Sequence, residues 1–143
     1  MCCFRRYGSV QPGIESNFMS EPTQTVLIVD DDPQILRLAQ AMLGPQHVNV
    51  LAVPRPSEAL RICGEGAVDV LISDISMPEM DGTKLAERVF KLQPRVSVLL
   101  ISGQVEVAPV VKGGRVRFLK KPFFPSELIK LLREMLTDKA EYA

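Results

Sequence analysis

The chain has 143 residues, 46% apolar and 24% charged, which is the composition of one soluble globular domain around a single core. Its 17 basic and 17 acidic side chains cancel, so no bulk charge draws it to nucleic acid or to an anionic membrane. The longest apolar runs are strand-sized and too short to span a bilayer, and Cys2, Cys3 and Cys63 lack the CxxC spacing of a zinc site or the even count of a disulfide framework.

Residues 1–23 show no periodicity and carry Gly8, Pro12, Gly13 and Pro22, so they read as a flexible tail. No apolar segment precedes Cys2-Cys3 and residue 2 is not glycine, so a lipid anchor is not expected. Met19 opens "MSEPTQTVLIVDDD" and offers a second start. A reducing cytoplasm is the expected compartment.

From Thr25 on, strands and helices alternate. Thr25–Asp30 is a continuous apolar run of buried-strand length. Pro33 suits a first helical turn, and Ile35, Leu38, Ala39 and Met42 recur at helical spacing up to a stop at Gly44-Pro45. His47–Val53 reads as a second strand, and Ser57–Cys63 as a short helix with Ala59, Leu60 and Cys63 on one face. The third strand is Asp69–Ser73. The third helix is Thr83–Leu92, through Leu85, Ala86, Val89 and Leu92, ended by Pro94. Val96–Ile101 and Arg115–Lys120 are the fourth and fifth strands. Ser126–Leu136 is the last helix, with Leu128, Leu131, Leu132 and Met135 on its core face.

Gln104–Gly114 should be a helix by the alternation, but Pro109, four valines and Gly113-Gly114 are poor helix formers, so a short or irregular element is expected. The expected organisation is one domain over 24–138, with a C-terminal tail at 139–143. Five strands joined by helices imply a parallel sheet with right-handed crossovers and helices on both faces.

The polar signals fall just past the strands, where open α/β sheets bind ligands. Asp30, Asp31 and Asp32 follow the first strand, Asp74 the third, Ser102 the fourth and Lys121 the fifth. One of the three consecutive aspartates suits a helix cap. Two carboxylates about 4 Å apart repel by roughly 4 kcal/mol at an effective dielectric of 20, and a Mg²⁺ ion converts that repulsion into ligation. Asp74 is a turn residue or a metal ligand and nucleophile, since carboxylates can carry a phosphoryl group covalently. Ser102 with the small Gly103 leaves room for such a group, and Lys121 offers it a cation.

"VLIVDDDPQILRL", "DVLISDISMPEMDG", "VLLISG" and "FLKKPF" together resemble the receiver domain of bacterial two-component response regulators, the CheY-like family, over roughly Thr25 to Leu136. The resemblance implies a flavodoxin-like, doubly wound five-stranded parallel sheet of order 2-1-3-4-5. It implies that Asp74 accepts a phosphoryl group from a histidine kinase or phosphotransfer protein. Asp31 and Asp74 would ligate Mg²⁺ with the Ser76 backbone carbonyl, and Asp30 would act through water. Ser102 and Lys121 would contact the phosphoryl oxygens, Ser102 and Phe118 would form the switch, and Ser76 and Gln104 would tune dephosphorylation.

Two features depart from that pattern: Gln104–Gly114 is shorter and less helical than the family's fourth helix, and no output domain is expected after the last helix. Lys112–Lys121 holds five cations and no acid. It reads as a charge-protected edge strand, or as a face that docks an acidic partner together with the last helix. His47 reads as an ordinary loop or strand residue, since a phosphorelay histidine needs an exposed helix. The leading expectation is a stand-alone phosphoacceptor switch with no external substrate, no membrane and no direct nucleic-acid contact. The alternative is a phosphorylation-independent interaction module, and a third reading, a Mg²⁺-dependent phosphatase, lacks room for a substrate-enclosing cap.

Overall fold

The computed structural model describes residues 24–103 and 111–142. Its strands are β1 (Thr25–Val29), β2 (Asn49–Val53), β3 (Val70–Asp74), β4 (Ser97–Ser102) and β5 (Arg115–Lys120). Its helices are α1 (Pro33–Leu43), α2 (Pro56–Glu65), α3 (Gly82–Leu92) and α4 (Pro125–Tyr142). The strands form one flavodoxin-like sheet in the order β2-β1-β3-β4-β5, every pair parallel. The chain starts in the middle, steps out to β2, then crosses back past β1 to β3. Strand order therefore reverses between β1 and β3, and a crevice opens beyond their carboxyl ends.

Strand side chains alternate between the two faces, and each face receives two helices. Leu27, Val29, Leu71, Val98 and Leu100 pack with Ala59 and Cys63 of α2 and Leu85, Ala86, Val89 and Phe90 of α3. Val26, Ile28, Val70, Ile72, Leu99 and Ile101 pack with Leu36, Ala39 and Leu43 of α1 and Leu128, Leu132, Met135 and Leu136 of α4. A fully buried Leu or Val contributes about 1.5–3 kcal/mol of transfer free energy, so β1 and β4, buried almost throughout, anchor the sheet. Burial in an apolar site pushes the Cys63 thiol up to about 12, which suits a core residue rather than a reactive one.

The helices follow the expected order but differ in phase. α1 buries Leu36, Ala39 and Leu43, whereas Ile35 and Leu38 are 36% and 54% exposed. "ILRLAQAML" contains two overlapping helical stripes. The stripe through Leu36, Ala39 and Leu43 packs in the core beside the sheet, and Asp32 caps the helix by accepting the Gln34 N–H at 2.9 Å. In α3, Phe90 rather than Leu92 faces inward. Gly113 and Gly114 make its seat: a side chain on either would run into the Phe90 ring, and Gly113 has φ +116°.

Element ends shift by a residue or more. Gly44–Gln46 forms a single 3₁₀ turn, and His47 takes a left-handed φ of 61°, so β2 opens at Asn49 rather than His47. Asp74 and Ser102 are the last residues of β3 and β4, not the first beyond them. α4 continues past Leu136 to Tyr142 because nothing in "TDKAEY" breaks a helix, so the tail expected at 139–143 is helical through Tyr142. Of the segment expected to be short or irregular, residues 104–110 lie outside the described residues and 111–114 are non-helical.

The amino end of the sheet is closed by reciprocal hydrogen bonds. Thr25 N–H donates to Asp69 Oδ2 at 2.8 Å while Asp69 N–H donates to the Thr25 carbonyl at 2.9 Å. Gln93, just past α3, accepts the Val68 N–H at 2.8 Å and donates its carboxamide N–H groups to the Cys63 and Gly66 carbonyls at 2.7 and 2.6 Å. The Gln93 backbone N–H caps α3 on the Val89 carbonyl, and its side chain joins the last turn of α2 to the residues that lead into β3.

Candidate functional site

The carboxyl end of the sheet gathers the opposite kind of chemistry. Asp30 continues β1 on the side of Val26 and Ile28; its N–H reaches the Val53 carbonyl at 3.3 Å and its Oδ1 accepts the Asp32 N–H at 2.9 Å. It is 6% exposed. Burial pushes its carboxyl above the usual carboxylate range; the Asp32 N–H pulls the other way, and the charge of Asp74 adds to the rise. Asp31 is exposed beside it.

Asp74 is held by the sheet on one side and by the following loop on the other. Ile75 N–H donates to the Ile101 carbonyl at 2.9 Å, and Ser76 N–H points at Asp74 Oδ1 from 3.4 Å. Lys121 Nζ lies 3.5 Å from Asp74 Oδ2, with the Lys121 N–H bonded to the Ser102 carbonyl at 2.9 Å and the Lys121–Pro122 peptide cis. One carboxylate oxygen from each of Asp30, Asp31 and Asp74 lies within 4.8 Å of the others. Three carboxylates against one ammonium leave a net charge of −2 in a small crevice. That hard-oxygen donor set fits a divalent cation such as Mg²⁺.

Sequence reasoning therefore placed Asp30, Asp31, Asp74 and Lys121 in one cluster, and the structure brings them together. Ser102 is half-buried at the end of β4, adjoining through the Lys121 backbone. Ser76 is exposed in the β3–α3 loop. Phe118 stands on the α3 side of β5 by strand parity with Val116, 37% exposed and level with Leu100. Gln104 lies outside the described residues. Within the basic run, Lys121 faces Asp74, and Arg117 pairs with Glu134 of α4 at 2.8 Å.

Gly82 shapes the site through its backbone. A Cβ there would collide with the Asp74 carbonyl oxygen, and its N–H donates to the Ile75 carbonyl at 2.8 Å. Only a glycine lets the start of α3 sit against the end of β3 and set the height of Asp74. Asp81 before it caps α3 through the Lys84 N–H at 3.0 Å, and the Thr83 hydroxyl at 2.6 Å holds its carboxyl below the usual range. The signal was the Asp-Gly pair; its contact with the site was not written in the sequence.

The response regulator receiver domain family matches residues 26–133. The transcriptional regulatory protein GlrR of Escherichia coli K12 is 31% identical over 125 residues, 85% of this chain but only 28% of that protein. The chain thus spans about a quarter of this curated relative's length. A 14.6 kDa protein of Leptolyngbya boryana is 32% identical over 114 residues, covering 76% of this chain and 87% of its own. The signal receiver domain of an HD domain-containing protein from Pseudomonas fluorescens Pf-5 superposes with a TM-score of 0.77 at 27% identity, covering 84% of this chain and 91% of its own. Among the described residues, no helix is long and apolar enough to cross a membrane.

Proposed function

The chain belongs to the response regulator receiver domain family, and on that premise we propose that it is a phosphoacceptor switch in which Asp74 takes a phosphoryl group from a histidine kinase or phosphotransfer protein. One observation carries this reading: Asp74 ends β3 with its carboxylate in the acidic cluster and its Oδ2 3.5 Å from the Lys121 ammonium. A nucleophilic carboxylate is thereby aimed into the crevice with a cation beside it.

Asp30, Asp31 and Asp74, with the Ser76 carbonyl, would hold Mg²⁺, which when bound neutralises charge on the phosphoryl oxygens. An Asp74 carboxylate oxygen forms the new O–P bond as the donor's N–P bond breaks, and the donor imidazole leaves with the bond's electron pair. Lys121 follows the charge from the carboxylate to the phosphoryl oxygens, and the Ser102 hydroxyl donates to one of them. Ser102 and Phe118 then carry the change to the β4–β5 side, while Ser76 and Gln104, by their correspondence to family positions, would tune how fast water removes the group. Moving a switch from 1:99 to 99:1 takes about 5.5 kcal/mol of differential stabilisation, and phosphoryl contacts absent from the resting state supply it.

On this reading the protein assists its own phosphorylation and dephosphorylation, turns over no external substrate and works in the cytoplasm. Its downstream partner meets the β5 and α4 side around Lys112–Lys121, and neither membrane nor nucleic acid is contacted directly. The test is incubation with acetyl phosphate and Mg²⁺, followed by intact mass. One labile phosphoryl group on the wild type and none on Asp74→Asn is the expected result. A phosphoryl group retained by Asp74→Asn would overturn the assignment. No modification by acetyl phosphate or by a kinase panel, with no spectral change on beryllofluoride, would favour the interaction module.

A further inference from the structure

The N-terminus of α2 is capped from outside its own segment. Arg55, at the cap position, makes no side-chain hydrogen bond to the helix, and Pro56 at the first helical position has no N–H to offer. The Ser57 N–H is instead accepted by Glu79 Oε1 at 3.1 Å, across 22 residues of sequence. Glu79 belongs to the loop between Asp74 and α3, the loop that also carries Ser76.

That loop is fixed on its inner side. Met77 is buried and Met80 packs against the core cluster, while Gly82 N–H ties back to Ile75. Its outer side, Ser76, Pro78 and Glu79, is exposed, and Glu79 supplies the bond that fastens this side to a neighbouring element. The Glu79 oxygen satisfies an orphan N–H of the first helical turn, so the tie is directional. The element it reaches begins just after Val53, whose carbonyl receives the Asp30 N–H at 3.3 Å. The end of β2 thus holds the Asp30 backbone, and the start of α2, three residues on, holds the β3–α3 loop.

We propose that Glu79 is a positioning residue: by capping α2 it holds the outer half of the β3–α3 loop at the height where the Ser76 carbonyl meets the divalent cation bound by Asp31 and Asp74. The inference rests on the metal-binding reading given above. Mg²⁺ demands near-ideal octahedral geometry, so a loop freed on one side presents its carbonyl over a range of positions and binds the ion less well. The role is played through the hydrogen bond, not through the charge of Glu79 acting on the ion, and the two predict different variants to fail.

Mg²⁺ is titrated into the full chain by calorimetry for the wild type, Glu79→Ala and Glu79→Gln, with the melting temperature of each measured in EDTA. Glu79→Ala is expected to weaken Mg²⁺ binding three- to tenfold, on the order of the loss of one such bond. Glu79→Gln, which keeps the acceptor, should stay within about twofold of the wild type. An unchanged Mg²⁺ affinity in Glu79→Ala with a lowered melting temperature would reduce the contact to a helix cap and overturn the proposal. Equal losses in the two variants would assign the effect to charge and overturn it as well. A wild type that binds no Mg²⁺ would overturn the proposal together with the reading beneath it, whereas binding by the wild type with no effect of Glu79→Ala overturns the proposal alone.

Discussion

The two ends of the sheet are built to opposite rules. At the amino end, Asp69 and Gln93 spend their hydrogen-bonding groups on neighbouring backbone at 2.6 to 3.1 Å. At the carboxyl end, three carboxylates crowd within 4.8 Å and a single lysine at 3.5 Å answers them. The first arrangement lowers the energy of the fold; the second raises it and leaves a set of carboxylates that fits a divalent cation. The lesson concerns division of labour: strain tolerated at one end of a parallel sheet is offset by satisfaction at the other.

The sharpest way to break that comparison is at Gln93. Gln93→Ala leaves the Val68 N–H and two carbonyls without their partner, and at roughly 1 kcal/mol for each bond the loss is about 3 kcal/mol. Urea unfolding should show it, with Mg²⁺ affinity unaltered. A comparable drop in Mg²⁺ affinity would mean that the two ends are not separable.

Gly82→Ala tests the carboxyl end through its backbone. The added methyl meets the Asp74 carbonyl, so stability should fall by about 2 kcal/mol, and here Mg²⁺ binding and phosphoryl acceptance should fall with it. A stable variant with a normal phosphorylation rate would show that the start of α3 yields without disturbing Asp74.

The smallest effect has the opposite sign. Asp30→Asn keeps an acceptor for the Asp32 N–H but removes a buried charge repelled by Asp74 and Asp31, so in EDTA the variant should be more stable than the wild type by about 1 kcal/mol. Saturating Mg²⁺ should stabilise the wild type more and reverse the order, because ligand bound only to the folded state adds to its stability. Thermal melts with and without the ion would decide it.

Much of this contrast was legible in the chain before the fold was known, for a physical reason. Parallel strands are buried on both faces and so appear as unbroken apolar runs, and a polar residue ending such a run has to lie at the rim of the sheet. Asp30, Asp31, Asp74 and Lys121 stood out on that ground. Helix phase was not legible, because "ILRLAQAML" carries two apolar stripes, and tertiary packing against the sheet decides which one is buried. The inward turn of Phe90 depended on two glycines more than twenty residues away. Gln93 and Glu79 look like ordinary surface polar residues, since their partners are backbone groups of other elements. Local pattern reports which face is apolar; it does not report which distant carbonyl or N–H needs a partner.

The crossing of β1 and β3 has a consequence for when the protein can first be read. Asp30-Asp31 and Asp74 sit on strands that are neighbours in space but separated in sequence by α1, β2 and α2. Their meeting therefore requires closure of a long loop, which comes late relative to local helix formation. A nascent or partly unfolded chain carries all the same aspartates yet has no acidic crevice to offer. Receipt of a signal is in this way conditional on completed folding: the site doubles as a certificate that the sheet has closed.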